Sequence, residues 1–155
     1  MESNFKNLLY ESFDNKKRLI IIDWDDTLLP TYWIHLNEEN NKCVSIIDNN
    51  LKIKYFLDKC QNYGKVIIIT NSSSNWIGST SKNYLSNTHD KFNELELISA
   101  RDEYQEDYPY DPMQWKKNVF KDYLSKNNNY NEILSIGDGN YEKFVLIDLK
   151  NSNKK

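Results

Sequence analysis

Four short apolar runs stand out along an otherwise polar chain: residues 19–22 (LIII), 66–69 (VIII), 95–98 (LELI) and 133–136 (ILSI). The first two are continuous and β-branched, without the alternation of a half-exposed strand. Each therefore reads as a strand buried on both faces, as in a parallel sheet. Such strands need helices to cover them. Ile46, Ile53, Phe56, Leu57 and Cys60 share one helical face, Ser45 and Asp48 form an S-x-x-D capping box ahead of it, and Gly64 is placed to end it. A second helix is expected near 75–86, followed by loop to 94, with Trp76, Ile77, Tyr84, Leu85 and Phe92 as anchors. Asp111 and Pro112 make an N-cap and first-turn pair, opening a helix that turns Met113, Val119, Phe120, Tyr123 and Leu124 to the core. Residues 141–149 read as a last helix, 101–109 as loop, and 151–155 as a disordered tail. Phe5, Leu8, Leu9 and Phe13 fall at helical spacing, so 3–13 reads as an amphipathic helix docking on the core. Residues 28–44, with Pro30, read as a loop above the strand ends, too short for a cap domain. Strand, helix, strand is a βαβ pattern with right-handed crossovers, so the fold class is α/β.

Length and charge narrow this further. At 155 residues a single domain over 1–150 is expected, large enough for a core. A net charge of -3 gives no reason to expect nucleic acid or an anionic membrane as the main partner. Cys43 and Cys60 make no disulfide framework and no CxxC pair, which points to a reducing, cytoplasmic location. No apolar run approaches the ~20 residues of a membrane span. Residues 1–17 lack the apolar core of a signal peptide.

The candidate chemistry sits where the first strand ends. Asp23, Trp24, Asp25, Asp26 and Thr27 follow it directly, placing three carboxylates within one turn. Ligands collect at the carboxyl ends of parallel strands, and like charges that close repel unless a cation or hydrogen bonds compensate. The plain alternative is a polar turn, in which Asp is common. Thr70 and Asp138 end two other runs, and in a parallel sheet all these ends face one side. A carboxylate can attack phosphorus, and a second one two residues on can protonate a leaving oxygen and later activate water. The hard oxygens of Asp23 and Asp138 suit Mg²⁺. A hydroxyl and a lysine would steady the transferring oxygens. At ~100° per residue, Lys116 falls in the middle of the apolar stripe of its helix and Lys117 at the edge. An inward lysine needs an anionic partner, and the alternative is that it snorkels to water. His35 and His89 read as isolated surface residues. Trp33, Trp76 and Trp115 read as packing, with Trp24 or Trp33 available to line a substrate mouth.

In this pattern the chain resembles the haloacid dehalogenase superfamily of aspartyl-phosphate hydrolases, in a branch with a minimal cap. Residues 23–27 look like its DxDxT motif, and Ile69, Thr70 and Asn71 look like its second. Lys116 stands for the third, and residues 137–142 resemble the acidic GDxxxD fourth with Glu142 in last place. The resemblance implies a Mg²⁺-dependent phosphomonoester hydrolase. Asp23 would be the nucleophile and a metal ligand. Asp25 would be the general acid and base, with its carbonyl on the metal. Thr70 and Lys116 would hold the phosphoryl group, Asp138 would complete the metal site, and Glu142 would stand behind it. Trp24, Asn71 and Lys116 would contact substrate, and Thr27 would brace the turn. It further implies a Rossmann-like three-layer αβα sandwich whose short parallel sheet has the order 3-2-1-4. Asp26 stands where the family often has Gly, and a further strand usual in the family does not follow the fourth motif here. A minimal cap implies an open site, which suits a macromolecular substrate or oligomerisation. For an acidic chain a phosphoprotein fits better than nucleic acid. The competing readings are an inactive relative that binds a protein or phosphorylated partner, and a receiver domain, which the order of Lys116 before Asp138 disfavours.

Overall fold

The computed structural model describes residues 17–37 and 44–152. The helix expected over 3–13 lies outside these residues. Four strands, β1 (Arg18–Ile22), β2 (Lys65–Thr70), β3 (Glu96–Ser99) and β4 (Glu132–Ile136), form one sheet. They are all parallel and run in the order β3-β2-β1-β4. The expected α/β class and strand order are both present. Seven helices accompany them among the described residues: α1 (Thr31–Asn37), α2 (Val44–Gln61), α3 (Ser74–Tyr84), α4 (His89–Asn93), α5 (Ala100–Tyr104), α6 (Pro112–Lys126) and α7 (Asn140–Ser152).

The apolar runs produce this sandwich because a strand presents alternate residues to opposite faces. On β1, Ile20 and Ile22 pack with Ile34, Leu57, Ile77 and Phe92 beneath α1 to α4. Leu19 and Ile21 pack with Val119, Phe120 and Val145 beneath α6 and α7. β1 and β2 are covered on both sides, which is why neither shows a polar face. Gly64, in the turn before β2, passes hard against the start of β1. A Cβ there would lie 2.4 Å from the Arg18 carbonyl oxygen. The strand order reverses at β1, with β2 on one side and β4 on the other. Chain segments leaving the carboxyl ends of β1 and β4 therefore part there and open a crevice.

Several local expectations are corrected. Residues 31–37 form α1 and not a loop, because Ile34 is drawn fully into the core and the Asp26 side chain accepts from Tyr32 N at 2.8 Å, satisfying a donor of the first turn. After α3, a 3-10 turn (Ser86–Thr88) and α4 replace the expected loop. Thr88 is buried and donates to the Asn50 carbonyl at 2.6 Å, and Phe92 is buried beside it. Ser99 caps α5, accepting from Asp102 N at 3.0 Å, where a loop was expected. α2 already begins at Val44, which puts Ser45 inside the helix, and the side chains of the expected Ser45–Asp48 capping box lie outside the described residues. α7 continues to Ser152, which removes 151 and 152 from the expected tail. The Asp111 cap is as expected, accepting from Gln114 N at 3.1 Å with Pro112 in the first turn. No helix among the described residues is long and apolar enough to cross a membrane.

Candidate active site

Alternation along β1 carries on past its last residue and decides what each motif side chain meets. Asp23 N donates to the Ile136 carbonyl at 2.9 Å, extending the ladder with β4. Asp23 therefore follows Leu19 and Ile21 toward α6, and Trp24 follows Ile20 and Ile22 to the opposite face. Trp24 is fully buried, edge-on to Phe92 with ring centroids 4.8 Å apart. It does not line a substrate mouth, and that expectation is corrected.

Lys116 is 1% exposed, in the middle of the inward stripe of α6. Its Nζ lies 3.0 Å from Asp23 Oδ1 and donates to Glu142 Oε1. It does not snorkel to water. Lys117, at the edge of the stripe, pairs with Asp148 at 2.7 Å near the surface. Burial pushes the Asp23 carboxyl above its ordinary value. The Lys116 ammonium opposes that shift, and the neighbouring Glu142 carboxylate adds to it. The partly buried Asp23 and the buried Glu142 thus share one ammonium, and Glu142 Oε2 is buried without a hydrogen-bond partner. Glu142 reaches this place across Gly137, where an added Cβ would come 2.5 Å from the Glu142 carboxyl carbon.

Asp25 is gripped by donors from three segments. Oδ1 accepts from Thr31 Oγ1 at 2.6 Å and from Trp76 Nε1 at 3.0 Å. Oδ2 accepts from Ser72 Oγ at 2.5 Å and, more weakly, from Thr70 Oγ1 at 3.5 Å. Thr70 is buried at the end of β2 and accepts from Ser72 N at 3.0 Å, closing the turn that follows. Asn71 stands in the same turn with a buried Oδ1 that has no partner. The Thr27 hydroxyl accepts from Asp138 N at 3.1 Å, tying the turn after β1 to the segment after β4. Asp26 adopts φ 52, the left-handed conformation Gly favours, so the turn keeps a Gly-like backbone with Asp in place. An open pocket of about 420 Å³ lies over Asp25, walled by Thr31, His35, Ser72, Ser73, Trp76 and Arg101.

The structure thus brings Asp23 to Lys116 and Asp25 to Thr70. Asp138 joins them through its backbone, and its side chain is exposed. Ser72 and Thr31 belong to the site without having been singled out, and Trp76, which reads as packing from the sequence, instead donates into it. Ser72 lies two residues beyond Thr70, and Ser73 caps α3, accepting from Trp76 N at 3.3 Å. That cap places Trp76 in the first helical turn above the sheet, a signal that was legible. Among the described residues no three His, Cys, Asp or Glu side chains are grouped to hold a metal ion. The donor chemistry nevertheless fits Mg²⁺, which takes hard oxygens and seldom an all-protein cage. The buried Glu142 Oε2 without a hydrogen-bond partner is one such oxygen. Comparison with protein-family models, curated proteins and solved structures finds no match to this chain.

Proposed function

We propose that this chain is a Mg²⁺-dependent phosphomonoester hydrolase of the haloacid dehalogenase type, working through an aspartyl-phosphate on Asp23. One observation carries the reading. A carboxylate and a buried lysine meet at 3.0 Å at the carboxyl ends of parallel strands, where the strand order reverses. Lys116 would offset negative charge on Asp23 and on the incoming phosphoryl group. An Asp23 oxygen attacks phosphorus as the bond to the leaving oxygen breaks, and that oxygen takes a proton from Asp25. Asp25 then accepts a proton from water as the water attacks phosphorus, releasing phosphate and freeing Asp23. Thr70 would hydrogen-bond the phosphoryl oxygens. Asp23, the Asp25 carbonyl and Asp138 would hold Mg²⁺, which when bound offsets phosphoryl charge. The open pocket over Asp25 suits a phosphate displayed on a macromolecule, with a phosphoprotein favoured over nucleic acid by the acidic chain.

One observation favours a second reading, a binding module without turnover: both Asp25 oxygens are already engaged by donors. Hydrolysis of 4-nitrophenyl phosphate, with and without Mg²⁺, separates the two. Mg²⁺-dependent turnover that Asp23→Asn abolishes is the expected result. A folded wild-type protein with no turnover in Mg²⁺ would favour the module.

A further inference from the structure

We propose that Trp76 is a positioning residue that aims the Asp25 carboxyl group at the leaving oxygen. The inference rests on the phosphatase reading above. It begins with how firmly Trp76 is itself held. Ser73 caps the first turn of α3 and accepts from the Trp76 backbone at 3.3 Å. Asp102 accepts from Ser74 N at 2.8 Å, fixing the same turn from α5. Ser99 donates to the Ser72 carbonyl at 2.7 Å and accepts from Asp102 N at 3.0 Å, so one capping residue secures both Ser72 and Asp102. The His35 ring stacks on the indole, with centroids 5.5 Å apart and planes 18° apart.

A rigid indole whose N–H donates to Asp25 Oδ1 at 3.0 Å restricts how that carboxyl can turn. Thr31 and Ser72 donate from hydroxyls, which rotate freely, whereas an indole N–H has one direction. Trp76, Asp25 and Ser72 also line one pocket, so the group that departs from phosphorus would pass across them. A small error in the direction of a proton donor costs rate, because transfer needs close alignment. The burden falls on substrates whose leaving oxygen needs a proton, and spares those that leave as stable anions.

Leaving-group dependence tests this in the full chain. Turnover of phenyl phosphate and of 2,4-dinitrophenyl phosphate is compared for the wild type, Trp76→Phe, Ser72→Ala and Asp25→Asn. Trp76→Phe is expected to lower kcat/KM at least about tenfold further for phenyl phosphate than for the dinitrophenyl ester, mainly through kcat, since general acid catalysis supplies roughly 10²–10⁴. Ser72→Ala, which removes a freely rotating donor, should show a smaller selectivity than Trp76→Phe, and Asp25→Asn a larger one. A selectivity in Ser72→Ala equal to that of Trp76→Phe would overturn the special role of the indole. Equal losses on both esters, or no selectivity in Asp25→Asn, would overturn the proposal. A second readout needs no turnover. The ¹⁵N-labelled indole N–H signal that vanishes in Trp76→Phe should shift in Asp25→Asn, and an unmoved signal overturns the proposal on structural grounds. Absence of Asp23-dependent turnover in the wild type overturns the catalytic role by removing the phosphatase reading itself, whatever the indole signal does.

Discussion

Lys116 Nζ lies 3.0 Å from Asp23 Oδ1 and also bonds Glu142, so a single buried ammonium holds two carboxylates from either side of the crevice. Asp23 follows β1 and Glu142 lies in the first turn of α7, while Lys116 comes from α6. The contact therefore locks three segments together where the reacting atoms would sit. Removing one member of a buried charge cluster strands the others, at roughly 3–5 kcal/mol. Lys116→Met should lower stability by about that much in urea unfolding. Adding Glu142→Gln should recover part of the loss, because one stranded charge goes with it. Simple additivity of the two changes would show that the cluster is not coupled.

The Asp23 carboxyl is held above its ordinary value, chiefly by burial, so the folded state grips its proton more tightly than the unfolded chain does. The stability linked to this proton is fully present below 3.8 and is lost as pH rises through the raised folded value. Asn at this position has no charge to bury, and Lys116 keeps Glu142 as a one-to-one partner. Asp23→Asn is therefore expected to melt above the wild type at neutral pH, with the gap closing on acidification. A wild type that melts higher at neutral pH would contradict it. Under the proposed function the same variant loses turnover, the trade expected where a reactive group is buried at a cost to stability.

What the sequence discloses follows the range of the forces involved. The strands are legible because 19–22 and 66–69 are apolar without break, and Lys116 because helix geometry puts it among Met113, Val119 and Phe120. The exchange of Trp24 for Trp76 at the site turns on alternation persisting beyond the strand, into residues that look like turn. α1 and α5 escape because seven and five residues are too few for a period to show. What holds α1 is non-local: the core that receives Ile34 and the side chain of Asp26. The donors on Asp25 come from three segments, and their convergence exists only in the fold.

Gly137 and Gly139 flank Asp138 but differ in what surrounds them. Neither has positive φ, so any penalty comes from space and not from backbone strain. A Cβ at 137 meets the Glu142 side chain at 2.5 Å, whereas the nearest atom to one at 139 is 3.6 Å away. Gly137→Ala should cost about 1–3 kcal/mol by overpacking and displace Glu142 from Lys116. Gly139→Ala should sit near the wild type in the same urea titration. Equal midpoints for the two variants would mean that Glu142 yields freely and does not hold the cluster.

Asp26 combines a costly backbone with a useful side chain. At φ 52 it occupies the left-handed region, which costs a residue bearing a Cβ roughly 1–2 kcal/mol. Asp tolerates the region better than most, and here its Oδ1 accepts from Tyr32 N at 2.8 Å and holds the start of α1. Asp26→Gly relieves the backbone and loses the bond, two effects of similar size. Asp26→Ala keeps the strain, loses the bond, and should be less stable than the wild type by about 1–2 kcal/mol. The expected order of denaturation midpoints puts Ala last, with Gly close to the wild type. Finding Ala equal to Gly would show that the turn relaxes out of the left-handed region.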